Sequence, residues 1–324
     1  MTFVSTSLER ASKWDRICFP VRTLPLTDLL PAGYELLATD RQTAVVGENE
    51  PGRYQVFALQ GRDYSLIPNG VIRQVVDGCI EDYTLDIYYS DRGEFSITII
   101  LPEQVRVGEE RLFKSLIINN SYSGKTPFTL QGATLQGQPA SKARVSFYRS
   151  VCSNGLTGWA DDFASLEAYL GWLRAGRPKR VRETAPAPAG PVAAGGEEDV
   201  LFAKKIPHKR LDLDWFGQYV SGIIRRFLAQ QSSVTAQVYG RLAQTTPAGR
   251  APGLIAEVGI PKQLARQAAE RLRKEEKLLR TESNLWLVYN AINYSLLNSR
   301  SSLTITDRYE WDEQALHHLA ALTA

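Results

Sequence analysis

The side chains in this sequence best placed to act together are cations. Arg174, Arg177, Lys179, Arg180 and Arg182 form one cluster, and Lys204, Lys205, His208, Lys209 and Arg210 a second. Lys262, Arg266, Arg273, Lys277 and Arg280 recur at helical spacing on a third stretch. Grouped lysines and arginines neutralise phosphates, which gives salt-sensitive contact with a nucleic-acid backbone. The competing reading of the third stretch is an ordinary solvated helix, because Glu270, Glu275 and Glu276 are spaced to pair with their neighbours. A second kind of phosphate cradle is the segment Asn120–Lys125 (NSYSGK), rich in backbone donors and ending in a lysine. It lacks the GxxxxGK[ST] spacing of a Walker loop, and Asn, Ser and Gly also build plain hairpin turns. Lys125, Arg149, Arg177, Lys179, Arg180, Lys262, Arg266, Arg273 and Lys277 are therefore expected as phosphate contacts. Trp215 and Tyr219 could stack on bases, although a four-residue spacing also describes a core face.

Other chemistry is weakly represented. Cys152, in RSVCSNGL, follows Arg149, and a nearby cation lowers a thiol pKa. A cysteine nucleophile needs a base, and the histidines (His208, His317, His318) lie more than fifty residues away in sequence. A buried cysteine at a strand end before an Asn-Gly turn accounts for the same residues. The carboxylate pairs Asp161-Asp162, Glu109-Glu110 and Asp212 with Asp214 read as surface charge or helix N-terminal acids. Three cysteines and three histidines without CxxC spacing point to no disulfide framework, structural metal or cofactor. No catalytic residue is assigned.

The elements that must carry these side chains form an α+β fold. An antiparallel sheet with a packed helix occupies the N-terminal half, and a mostly helical region follows. Gln42–Val46 and Tyr54–Leu59 are short β-prone runs around the turn EPG. Val71, Ile72, Val75, Val76 and Cys79 have helical spacing behind Pro68, with Asn69 as the expected N-cap. TLDIYYSDRGEFSITIIL alternates on both sides of Asp91-Arg92-Gly93, a hairpin signal, and LFKSLIINN and ARVSFYRSV supply further strands. Leu166–Leu173 reads as a short helix. Residues 1–31 read as an N-terminal arm anchored by Phe3, Trp14 and Phe19, and 32–173 as the sheet domain. Residues 174–205, rich in Pro, Ala and Gly, read as a flexible linker, and 206–324 as the helical region. In that last region Trp215, Tyr219, Ile223 and Phe227 are expected on one core face, and Leu264, Ala268, Leu272 and Leu279 on another. Asn290 and Asn293, inside an apolar helix with Ser283 as its expected N-cap, imply a polar contact across a helix pair or to a ligand.

At 324 residues, with 44% hydrophobic and 23% charged side chains, the chain is long enough for two domains. It has no run of the roughly 18 to 20 apolar residues that would span a bilayer. Its first residues, MTFVSTSLERASKWDR, contain no apolar leader, so a cytoplasmic protein without membrane contact is expected. The formal charge of +3 is unevenly distributed. Residues 1–173 carry 16 Lys and Arg against 20 Asp and Glu; the remainder carries 22 against 15. A polyanion is therefore sought in the second half.

Four blocks, YSLIPN (Tyr64–Asn69), NSYSGKTPF (Asn120–Phe128), RSVCSNGL (Arg149–Leu156) and LWLVYNAINY (Leu285–Tyr294), resemble in order and residue type a family of phage and plasmid proteins classed as domain of unknown function nine-three-two. The insert near Thr184–Glu198 and the basic stretch after it depart from that pattern. The resemblance implies an accessory protein of a mobile element, with no assigned activity. The gross element order is similar to that of phage single-strand annealing proteins. Taken with the basic second half, the expectation is a non-enzymatic protein that binds nucleic acid, foremost single-stranded DNA, in replication or recombination, with room for a homo-oligomer. The alternatives are a protein-interaction module of a mobile element and, more remotely, a Cys152-dependent enzyme.

Overall fold

The computed structural model describes residues 7–34, 42–61, 63–124, 128–130, 144–151, 153–177, 211–247, 249 and 251–324. Their order begins α1 (Ser7–Asp15), β1 (Val21–Pro25), β2 (Gln42–Glu50), β3 (Arg53–Gly61), α2 (Asn69–Asp77), β4 (Thr84–Ser90), β5 (Glu94–Val107), β6 (Glu110–Ser121) and β7 (Thr129–Leu130). It continues β8 (Ser146–Arg149), β9 (Asn154–Leu156), α3 (Leu166–Arg174), α4 (Leu213–Ala229) and α5 (Val234–Gln244). It closes with α6 (Ala251–Glu257), α7 (Lys262–Leu279), α8 (Leu285–Asn298) and α9 (Ile305–Ala321). This is the α+β arrangement expected, with antiparallel sheets first and helices last. Among the described residues no helix is long and apolar enough to cross a membrane.

One sheet has the strand order β1-β2-β3; the other runs β4-β5-β6-β8-β9, with β7 also paired to β6. Both predicted hairpins form, because their turns hold residues that tolerate left-handed backbone. Gly52 (φ 77) closes β2 onto β3 and donates its N–H to the Glu48 carboxylate at 2.7 Å. Gly93 (φ 73) closes β4 onto β5, and a Cβ there would stand 2.6 Å from the Phe57 ring. Phe57 is the extra residue of a β-bulge: Val46 pairs with Val56, and Val45 with Ala58.

The described residues gather into two compact units. The first draws on Met1–Ile99, Ile117–Ala133 and Ala203–Ala229, and the second on Ile100–Leu116, Thr134–Phe202 and Gln230–Ala324. This division differs from boundaries drawn on composition, since α4 groups with the N-terminal strands. In the first unit the described part of the expected arm is built into the fold, Phe3 lying outside the described residues: β1 pairs with β2, and Trp14, fully buried, donates its indole N–H to Tyr83 Oη at 2.8 Å. Phe19, Phe57, Tyr89, Phe95 and Tyr122 form a ring cluster. Asn69 is the first helical residue rather than the cap. Pro68 takes that place, and the buried Asn69 amide donates to the Ile17 carbonyl at 3.0 Å. On α4 Phe227 is buried as expected, but Phe216, Val220 and Ile224 complete the stripe in place of Trp215, Tyr219 and Ile223; half-buried Trp215 and Tyr219 stack on each other with centroids 5.0 Å apart.

In the second unit α5 and α9 begin at well-formed caps. Ser233 Oγ accepts from Ala236 N, and Thr304 and Asp307 make a reciprocal capping box. α8 is capped by Asn284, not Ser283, whose hydroxyl is taken by Glu276. The short α6 was not expected from spacing. Cys152 and the 178–210 segment, which holds the second cation cluster and most of the expected linker, lie outside the described residues.

Candidate functional site

α7 is the longest helix among the described residues, and its sequence divides it lengthwise. At 3.6 residues per turn, Leu264, Ala268, Leu272 and Glu275 share one face, and all are buried against a unit in which α7 packs on α6 and α8. Lys262, Arg266, Arg273 and Lys277 fall within about 60° of arc on the opposite face, and all four are exposed. A rise of about 1.5 Å per residue sets Lys262 about 6 Å from Arg266 along the axis, and Arg273 about 6 Å from Lys277, with about 10 Å between the two pairs. None of the four forms an ion pair with a described carboxylate. Lys274, also exposed, flanks the stripe. The helix stops at Arg280, which is its C-cap, with left-handed backbone (φ 51) and its N–H on the Glu276 carbonyl.

Arg149 requires a correction. It was expected to contact phosphate, but it is 0% exposed at the end of β8 and occupied on both sides. Its Nε and Nη2 donate to Glu110 at 2.6 and 2.8 Å, and its Nη1 donates to Glu275 of α7 at 2.5 Å. Glu275 also accepts from Arg271 Nε at 2.7 Å. Trp286 Nε1 donates to Glu110 at 2.9 Å, its ring lies beside the Arg149 guanidinium, and Arg271 lies over the ring of Tyr294. Two arginines and two glutamates thus balance inside the unit. Arg149 cannot reach a polyanion; it fixes α7 to β8 and so holds the opposite, cationic face outward.

The other expected contacts scatter. Arg177 is exposed just beyond α3, with φ 57 and its N–H on the Trp172 carbonyl, and it is not part of the α7 stripe. Lys125, Lys179 and Arg180 lie outside the described residues. The NSYSGK segment turns inward: Asn120, Ser121, Tyr122 and Ser123 are buried. Asn120 donates to Ile67 O and Asn69 Oδ1, and the two serine hydroxyls bond each other at 2.7 Å. The described part of that segment therefore offers its side-chain donors to the fold rather than to an anion.

The carboxylate pairs, expected as surface charge or helix N-terminal acids, divide between interior and surface. Asp161 is buried and accepts from Val145 N, Thr235 N and Ser233 Oγ, while Asp162 pairs with Arg144. Glu109 pairs with Arg106, and Asp212 accepts from Trp215 N at the start of α4. The predicted polar contact at Asn293 spans α8 and α9, from its amide to Asp312 Oδ1 at 2.8 Å, whereas Asn290 bonds back to its own helix at the Trp286 carbonyl. Asp312 also accepts from Trp159 Nε1 at 2.7 Å and Tyr289 Oη at 3.2 Å. Its complete burial raises its pKa to about 6 despite these donors. Asn154-Gly155, expected as a turn, is the start of β9; the turn residues described before it are Ser150, Val151 and Ser153, the last with φ 51. Among the described residues no group of three or more His, Cys, Asp or Glu is arranged to hold a metal ion.

Sequence reasoning found the α7 stripe through its period. It missed the Arg149–Glu275 pair because the partners are 126 positions apart, and nothing local marks either as buried. No protein-family model, curated protein or solved structure matches the chain.

Proposed function

We propose that the protein binds nucleic acid through its phosphate backbone, with the outer face of α7 as the principal contact. The observation that carries this reading is the stripe Lys262, Arg266, Arg273 and Lys277, exposed on one face and without an ion-pair partner among the described residues. Like charges at i,i+4 destabilise a helix by about 0.2–0.5 kcal/mol per pair, so an external polyanion is the natural counterpart of a row that no described carboxylate answers. The favoured ligand is single-stranded DNA, and the setting is the replication or recombination of a phage or plasmid. That finer reading rests on the four residue blocks that resemble the mobile-element family. A second reading, a protein-interaction module, draws support from Tyr54, Val56 and Leu59, which are 58%, 51% and 52% exposed on β3 in the other unit.

The test is fluorescence anisotropy of labelled single-stranded and duplex oligonucleotides across a salt series. Four phosphate contacts predict that log K falls against log salt with a slope of about −2.8 on a single strand and about −3.6 on duplex. Tighter binding to the single strand supports the favoured ligand. Absence of binding at low salt overturns the reading and leaves the protein-interaction module.

A further inference from the structure

One carboxylate stands in the middle of the cationic stripe. Glu270 is exposed and lies four residues after Arg266 and three before Arg273, the two spacings at which helix ion pairs form. It pairs with neither. Along the axis the cations come as two couples, Lys262 with Arg266 and Arg273 with Lys277. Each couple is separated by about 6 Å, comparable with the distance between neighbouring phosphates of one strand. Glu270 occupies the interval where an evenly spaced strand would bring the next phosphate.

We infer that Glu270 is a specificity-determining residue of the α7 face: it holds one phosphate off the helix, so that a strand is taken as two neighbouring-phosphate couples separated by one uncontacted phosphate. This deepens the nucleic-acid reading and rests on it. The physical cause is like-charge repulsion at an exposed site, modest in size because water and salt screen it. A strand laid along α7 satisfies both couples only by arching over Glu270.

The experiment uses the full chain and a thymidine hexanucleotide without terminal phosphates, which carries five phosphodiesters and has little freedom to slide. Each phosphodiester is replaced in turn by a neutral methylphosphonate, and the oligonucleotides compete at low salt with a labelled longer strand. Neutralising the central linkage should tighten binding to the natural protein by roughly threefold, whereas neutralising any other should weaken it. With Glu270→Gln the gain at the central linkage should vanish while the losses elsewhere remain. A flat scan, or a central gain that persists in Glu270→Gln, overturns the inference and leaves the nucleic-acid reading standing. Failure of the hexanucleotide and the longer strand to bind at all removes both.

Discussion

The two long faces of α7 carry the same residue types under opposite rules. On the inner face Glu275, 1% exposed, is met by Arg149 at 2.5 Å and Arg271 at 2.7 Å. On the outer face Lys262, Arg266, Arg273 and Lys277 meet no carboxylate within ion-pair distance among the described residues. Water makes the difference. A buried charge without a partner costs several kcal/mol, so an arginine persists inside only where the fold supplies acceptors, which for Arg149 are two carboxylates. An exposed charge is solvated at little cost and remains available to a ligand. Cation count alone therefore does not show which cations an external ligand could reach; burial sorts them.

That contrast can be tested from the inside first. Replacing Arg149 with Met leaves Glu110 facing only Trp286 Nε1 and removes one of the two cations on Glu275. The expected loss is about 3–5 kcal/mol in urea unfolding, the cost of breaking a buried pair from one side. A loss below about 1 kcal/mol would mean that the cluster is not desolvated as described.

Asp312 sharpens the comparison, because it is buried among neutral donors rather than opposite charges. Its folded pKa, about 6, lies above the ordinary value of 3.8, so the folded state binds its proton more tightly than the unfolded state. The stability linked to that proton is present in acid and is lost as pH rises from about 4 through about 6. Relative to Asp312→Asn, the natural protein should lose up to about 3 kcal/mol across that window. Parallel pH profiles would contradict the assignment.

The smallest effect is expected at Ser153, whose φ of 51 places a non-glycine residue in left-handed backbone beside the turn that Arg271 supports through the Val151 carbonyl. Ser153→Gly should stabilise by about 0.5–1 kcal/mol, read as a higher urea midpoint with an unchanged slope. A fall in stability would show that the side chain is needed in the turn.

Much of this fold is legible where the deciding physics is local. The EPG and DRG turns specify their hairpins through one glycine each, and α7 is visible because Leu264, Ala268 and Leu272 keep a helical period. Its outer cations follow from the same period. The failures are of another kind. Arg149 reads as a free cation until Glu275, from a helix 126 positions later, is brought to it. Asn69 has the chemistry of a cap, but the Ile17 carbonyl claims its amide across 52 positions. Asn154-Gly155 has the composition of a turn, yet it pairs with Tyr148 and Arg149 as β9. Local preference yields in each case to a tertiary partner that spacing does not reveal.

The central claim is the proposal that the outer face of α7, whose cations meet no described carboxylate, meets nucleic acid. It is tested most directly by replacing Arg266, Arg273 and Lys277 together with Glu and repeating the salt-dependent anisotropy titration on single-stranded DNA. The account predicts folding stability within about 0.5 kcal/mol of the natural chain, affinity reduced by at least about a hundredfold at low salt, and a salt slope close to zero. Unchanged affinity and slope in a stably folded variant would contradict it.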